Sequence, residues 1–128
     1  MTRQEIIEFC LAFHEAYEDY PFDNIAEPGK WTVMRHRANK KSFAILFERN
    51  GKLCVNLKSD PLDAEFLRQV FRDVTPGYHM NKAHWNTVSL GGDVPDAELK
   101  QMIGLSYDLI KPRRGRRGAA SSKGTTCP

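Results

Sequence analysis

The sequence predicts an α+β domain of two layers, in which three helices share one face of an antiparallel sheet, in the order α-β-β-β-α-β-β-α. Three segments carry apolar residues at helical spacing, and five shorter segments alternate apolar and polar residues or are rich in β-branched and aromatic ones. The connections between consecutive strands are short, so neighbouring strands must run antiparallel. Helices with one apolar face each can then cover the same side of the sheet.

The first helix is predicted over residues 3–17. Thr2 and Glu5 have the spacing of a capping box, in which each side chain accepts a hydrogen bond from the other residue's backbone N–H. Behind this cap, apolar residues recur at helical intervals, namely Ile6, Phe9, Cys10, Phe13 and Tyr17. Cys10 is interpreted as a core residue of this stripe rather than a nucleophile. The acidic residues 18–30 end in a Pro-Gly pair and are predicted to form a loop.

Three strands are predicted next, at residues 31–37, 42–48 and 53–58. Asn50-Gly51 indicates a hairpin between the second and third of them, because a type I′ turn requires positive φ at both central residues. Alternation in the third strand predicts an inward-facing set, Leu53, Val55 and Leu57, and an outward-facing set, Cys54, Asn56 and Lys58.

Two further helices are predicted from their start and stop signals. Asp60-Pro61 begins one of them, with the aspartate as N-cap and the proline at the first helical position. Its predicted buried stripe consists of Leu62, Phe66, Leu67, Val70 and Phe71. The last helix begins at Pro95 and ends before Pro112, and its stripe consists of Leu99, Met102, Ile103, Ser106 and Ile110.

Residues 76–90 concentrate the unusual chemistry of the chain. Pro76-Gly77 predicts a type II turn with Gly77 at positive φ, and a polar bend follows at residues 81–83. A strand comes next, with His84, Asn86, Val88 and Leu90 on one face and Trp85, Thr87 and Ser89 on the other.

The segment at residues 79–88, His-Met-Asn-Lys-Ala-His-Trp-Asn-Thr-Val, resembles the signature of the MmcQ/YjbR family of small bacterial proteins. Supporting matches lie at residues 20–22, 41–44, 57–61, 95–96 and 106–109. The resemblance covers residues 1–110, and it departs from the family pattern at Lys40 and Ser42, within one turn. It implies the two-layer α+β fold. It also implies DNA binding, through the likeness of the fold to a double-wing DNA-binding arrangement.

Length and composition predict one soluble domain. The chain has 128 residues, enough for one core, and it contains no apolar run that could span a bilayer, so a cytoplasmic location without membrane contact is expected. Its three cysteines are scattered, which argues against a disulfide framework or a zinc site. His79 and His84 are five residues apart, a spacing that places them on opposite faces of a strand. Neither a metal nor another cofactor is expected.

The net charge of +3 conceals a marked asymmetry. Residues 111–128 carry six cations and no acid, whereas the preceding 110 residues carry 13 basic and 16 acidic side chains. We therefore expect an α+β domain over residues 1–110, followed by a disordered basic tail over residues 111–128. The basic character of the protein belongs to the tail.

Two classes of function remain open. The first is non-enzymatic DNA binding, because cations, amides and an aromatic ring can contact phosphates and bases; the predicted contacts are Lys41, Lys58, Asn81, Lys82, His84, Trp85, Arg113, Arg114, Arg116 and Arg117. The second is a protein- or peptide-binding module with the architecture of secretion chaperones. A purely structural role for residues 79–86 also stays open. No catalytic constellation is found, and we expect a monomer or weak dimer.

Overall fold

The computed structural model describes residues 1–23 and 30–113, which form three helices and six strands. The helices are α1 (Arg3–Leu11), α2 (Pro61–Val70) and α3 (Asp96–Ile110). The strands are β1 (Ala16–Asp19), β2 (Thr32–His36), β3 (Ser42–Arg49), β4 (Lys52–Lys58), β5 (Val74–Pro76) and β6 (Trp85–Ser89). All pairings are antiparallel, in the order β1-β2-β3-β4-β6-β5, which confirms the α+β class. None of these helices is long and apolar enough to cross a membrane.

The predicted helix over residues 3–17 is too long. The capping box of Thr2 and Glu5 is present, but α1 ends at Leu11 and Glu15 adopts a left-handed φ of 61°. The following residues form β1, which pairs with β2 at the edge of the sheet. An ion pair of 2.7 Å between the Asp19 carboxylate and Arg35 Nε reinforces this pairing. Strand pairing with residues far along the chain therefore overrides the helical periodicity of this segment.

The β3–β4 hairpin forms as predicted. Asn50 and Gly51 have φ values of 54° and 76°, which confirms the turn with two left-handed residues. At the other end of β3, the register of its pairing with β2 shifts between Met34 and Arg35, and Ser106 of α3 bonds to the sheet backbone there. Its hydroxyl accepts a hydrogen bond from Lys58 N at 2.9 Å and donates to Phe43 O at 2.6 Å. Helix α3 is thus joined to the sheet by a buried polar bridge as well as by apolar packing.

The main core lies between the sheet and the helices α1 and α3. The predicted stripe of α3 is confirmed, because Leu99, Met102, Ile103, Ser106 and Ile110 are all buried. Cys10 of α1 is fully buried in the same core, and this burial raises the pKa of its thiol to about 12. The thiol is therefore protonated near neutral pH, in agreement with a core role.

The predicted buried stripe of α2 is wrong for three of its five residues. The helix begins as expected, with Asp60 as N-cap. However, Leu62, Phe66 and Val70 are 78%, 62% and 50% exposed, and Ala64 is the helix residue that packs fully against the sheet. The other two stripe residues, Leu67 and Phe71, are partly buried against the core. The helix is therefore turned so that Ala64, Leu67 and Phe71 face the sheet and the remaining three stripe residues face outward.

Candidate nucleic-acid interface

Residues 76–84 fold over the face of the sheet that carries no helix. Gly77 does not adopt a left-handed φ, so the predicted type II turn is wrong. Gly77 N donates to Trp85 O at 2.9 Å, and a Cβ on this glycine would lie only 2.7 Å from Trp85 Cβ. Glycine is therefore required here by the close approach of two backbones rather than by a special φ.

A buried polar network fastens this loop to the sheet. Asn56 Nδ2 donates to Tyr78 O at 3.0 Å, and Tyr78 N donates to Thr87 Oγ1 at 2.8 Å. The Thr87 hydroxyl donates in turn to Asn56 Oδ1, which closes the network. Asn56 and Cys54 were predicted to face outward into solvent, but both are buried. The loop covers the face on which they lie.

Aromatic rings extend this attachment across the sheet. Phe47 stacks between Trp31 and Tyr78, with ring centroids at 4.7 and 5.5 Å. The Arg49 guanidinium lies 4.2 Å from the centroid of Tyr78, within the range of a cation–π interaction. His79 adopts a left-handed φ of 61°, a conformation that costs a non-glycine residue about 1–2 kcal/mol. The ring of His79 lies 4.0 Å from that of Tyr78, between centroids.

Asn81 and Lys82 make contacts within the loop itself. Asn81 Oδ1 accepts a hydrogen bond from Ala83 N at 2.9 Å, as an asparagine does when it closes a turn. Lys82 Nζ donates to Gly77 O at 2.7 Å, across the base of the loop. Both side chains are exposed, but these bonds give each of them a structural role.

Trp85 and Asn86 lie in the interior of the domain. Trp85 is 9% exposed, so its indole offers no open surface on which a base could stack. The Asn86 amide links β6 to α2, because Oδ1 accepts from Arg68 Nε at 2.6 Å and Nδ2 donates to Ala64 O at 3.1 Å. The motif at residues 79–88 thus largely attaches a loop and a helix to the sheet.

One end of the sheet gathers three of the predicted contact residues. Lys41 precedes β3, Lys58 ends β4 and His84 precedes β6. Because these strands alternate in direction, all three positions lie at the same end, and Ser59 N donates to His84 O there at 2.8 Å. Within residues 1–23 and 30–113, no carboxylate forms an ion pair with Lys41 or Lys58.

The C-terminus of α3 reaches the same end. Asn39, in the loop between β2 and β3, donates through Nδ2 to Ile110 O at 2.7 Å. Lys111 and Arg113 therefore leave the domain beside Lys41, although Lys111 also pairs with Asp108 at 3.1 Å. We call this surface the basic end, comprising Lys40, Lys41, Lys58, His84, Lys111 and Arg113. The predicted contacts Arg114, Arg116 and Arg117, and the predicted tail from residue 114 onward, lie outside the described residues.

Comparison with known proteins places the chain in a family. The YjbR family model matches residues 11–109. The chain belongs to the YjbR family. Its relatives include the uncharacterized protein YjbR of Escherichia coli K12, which is 35% identical over 107 residues, 84% of this chain and 85% of that protein. The uncharacterized protein YyaQ of Bacillus subtilis 168 is 27% identical over 121 residues, 87% of this chain and 99% of that protein.

Solved structures of similar chains share the fold. A crystal structure of a Pseudomonas syringae protein matches with a TM-score of 0.74 and 30% identity, covering 87% of this chain and 100% of that one. A Deinococcus radiodurans protein with a DUF419 domain matches with a TM-score of 0.74 and 31% identity, covering 85% of this chain and 78% of that one. The family resemblance in residues 79–88 is thereby confirmed.

A second cationic position in this YjbR-family domain was missed by the sequence analysis. Arg49 and Lys52 flank the β3–β4 turn and face each other directly across the hairpin, at the end of the sheet opposite the basic end. Like charges opposite each other in a sheet are destabilising. The two residues line a surface pocket together with Thr75, Thr87 and Ser89. The Asn50-Gly51 turn could have predicted this pair, because the turn sets which residues face each other across the hairpin.

The described part of the chain shows no group of three or more histidine, cysteine, aspartate or glutamate side chains arranged to hold a metal ion. The basic end itself offers lysine and arginine side chains, which are cations and hydrogen-bond donors. Such groups bind anions and phosphates.

Proposed function

We propose that this YjbR-family protein binds nucleic acid through the basic end, without catalysing a reaction. One observation carries the proposal: three separate elements bring Lys41, Lys58 and His84 to the end of the sheet where α3 leads into the cationic residues 111–117. Cations on one surface displace the counterions of a nucleic acid, which is the main source of non-specific affinity.

The proposed contacts are to phosphates rather than to bases. Base reading needs exposed side chains that can reach donor and acceptor groups in a groove. Of the motif residues with suitable groups, Trp85 and Asn86 are buried and Asn81 closes a turn. We therefore expect little dependence of affinity on DNA sequence.

The tail and the body contribute unequally in this proposal. Residues 1–110 carry a net charge of −3, and residues 111–128 carry six cations. Full engagement of six cations on duplex DNA corresponds to a slope of log affinity against log salt of about −5. The body adds its own smaller contribution only where its lysines are gathered, at Lys41 and Lys58.

A salt titration of DNA binding with matched charge variants of the full chain tests the proposal. Replacing Lys41 and Lys58 by glutamine is expected to weaken binding and to reduce the steepness of the salt slope by about 2. The control replaces Arg49 and Lys52 by glutamine, which removes the same charge from the opposite end of the sheet. Replacing the four tail arginines by glutamine measures the share of the tail.

The results separate the two parts of the proposal. Equal losses from the two pairs of substitutions would show a general charge effect and would contradict a site at the basic end. Binding that vanishes with the tail arginines and is unaffected at Lys41 and Lys58 would leave the body without a role. A wild-type chain that does not bind duplex or single-stranded DNA at low salt would overturn the function altogether.

A further inference from the structure

Helix α2 carries an apolar stripe that the described part of the domain leaves uncovered. Leu62, Phe66 and Val70 follow one another at intervals of four residues, so they lie on one face of the helix. Their exposed fractions are 78%, 62% and 50%. Single exposed apolar residues are common on soluble proteins, but a continuous row of large ones marks an interaction surface.

The opposite face of α2 is already committed to the sheet. Ala64 packs fully against it, and its carbonyl accepts a hydrogen bond from Asn86 Nδ2. Arg68 contacts the Asn86 amide through Nε and Lys82 O through Nη2. Turning the helix to bury Phe66 would break these hydrogen bonds, and the loss of the buried one between Asn86 and Ala64 would cost about 1–3 kcal/mol for each group left unsatisfied. The outward stripe is therefore a stable feature of the fold.

Charges along α2 indicate what covers the stripe. Acidic residues, Asp60 and Asp63, lie at the N-terminal end of the helix. Arg72 follows its C-terminal end and is 80% exposed, with an ion pair of 3.5 Å to the neighbouring Asp73, whereas Arg68 is turned toward the sheet. Such a distribution is complementary to itself when two copies run antiparallel, because each acidic end then meets a basic end. Antiparallel helix dipoles favour the same arrangement.

We infer that a second copy of this chain docks on α2, forming a two-fold symmetric dimer. An antiparallel pair centred on Phe66 places the two Phe66 rings together and Leu62 opposite Val70 of the second copy. The same register places Asp60 opposite Arg72, whose side chain is 80% exposed. A two-fold interface requires one patch to complement itself, and the stripe and its flanking charges both meet that condition.

The size of the surface predicts a weak, concentration-dependent dimer. α2 has 10 residues and is about 15 Å long. Stable interfaces bury about 1,200–2,000 Å² in total, more than a single short helix pair provides. We expect a dissociation constant on the order of micromolar or weaker.

Sedimentation velocity of the full chain over a range of about 10 μM to 1 mM tests the dimer, at concentrations chosen around the expected affinity. The wild-type chain is expected to shift from monomer to dimer as concentration rises, and Phe66→Glu is expected to remain monomeric. Leu11→Glu provides the matched control, since Leu11 is an exposed leucine of α1 outside the stripe. If Phe66→Glu does not fold, Leu62→Glu gives the same reading at a more exposed position.

A charge substitution tests the register. Residue 69 is opposite Asp63 of the second copy in the antiparallel pair, so Gln69→Lys is expected to strengthen dimerisation by about two- to fivefold, as exposed ion pairs do. Arg72→Glu is expected to weaken it by a similar factor. A wild-type chain that stays monomeric at 1 mM, a dimer that survives Phe66→Glu, or a dimer weakened by Gln69→Lys would overturn the inference. A different protein bound at α2, with no self-association, would also overturn it.

Discussion

Helices α2 and α3 have similar sequence patterns, but the fold buries the apolar stripe of α3 and leaves most of the stripe of α2 exposed. Both carry apolar residues at helical spacing, yet the stripe of α3 is buried against β3 and β4, while Leu62, Phe66 and Val70 of α2 face outward. α3 buries its whole predicted stripe, whereas α2 contacts the sheet through Ala64, the partly buried Leu67 and Phe71, and the hydrogen bond between Arg68 and Asn86. Periodicity therefore predicts which residues share a helix face, but not which face packs against the sheet.

The largest effect is expected in the buried stripe of α3. Ile103 is 0% exposed, so Ile103→Ala removes apolar contacts and leaves a cavity, with an expected loss of about 2–5 kcal/mol in the free energy of unfolding. Urea denaturation followed by circular dichroism measures this loss. A loss below about 1 kcal/mol would show that the α3 interface is less tightly packed than the structure indicates.

A smaller loss is expected from the polar attachment of α2. Asn86→Ala leaves Ala64 O and Arg68 Nε without their partner, and we expect about 1–3 kcal/mol of destabilisation. Asn81→Ala is the matched control, because this exposed residue bonds only within its own turn. Hydrogen exchange of the α2 amides should rise in the first variant and change little in the second. Equal exchange in both would mean that Asn86 does not hold the helix.

The smallest effect on stability is expected in the exposed stripe of α2. Phe66→Ser should change the free energy of unfolding of the monomer by no more than about 0.5 kcal/mol, because the ring is 62% exposed. The same urea denaturation applies, at a protein concentration low enough to keep the chain monomeric. A loss comparable to that of Ile103→Ala would show that the two helix faces are equivalent after all.

Features that depend on near neighbours in the chain were predicted correctly. The capping box of Thr2 and Glu5, the N-cap at Asp60 and the turn at Asn50-Gly51 are all present. Each depends on hydrogen bonds or steric limits among residues no more than four positions apart. The sequence contains all the information that such features need.

Features that depend on distant residues were mispredicted. Residues 16–17 were predicted to end the first helix and residues 18–19 to begin a loop, but all four form β1, because β2 offers a partner for them. Gly77 was expected to need a positive φ, and it instead makes room for Trp85, eight residues later. Likewise, Asn56 was expected in solvent, but the loop that carries Tyr78 covers it. In each case the decisive contact joins segments that are separated along the chain.

The candidate site divides in the same way. The sequence by itself determined the cationic tail, the family and the order of most elements, since composition and local patterns are properties of the chain alone. Only the tertiary structure decided that Lys41, Lys58 and His84 share one end of the sheet, that Trp85 is buried, and that the stripe of α2 faces outward. The physical reason is that strand pairing and packing select among the surfaces that local patterns allow.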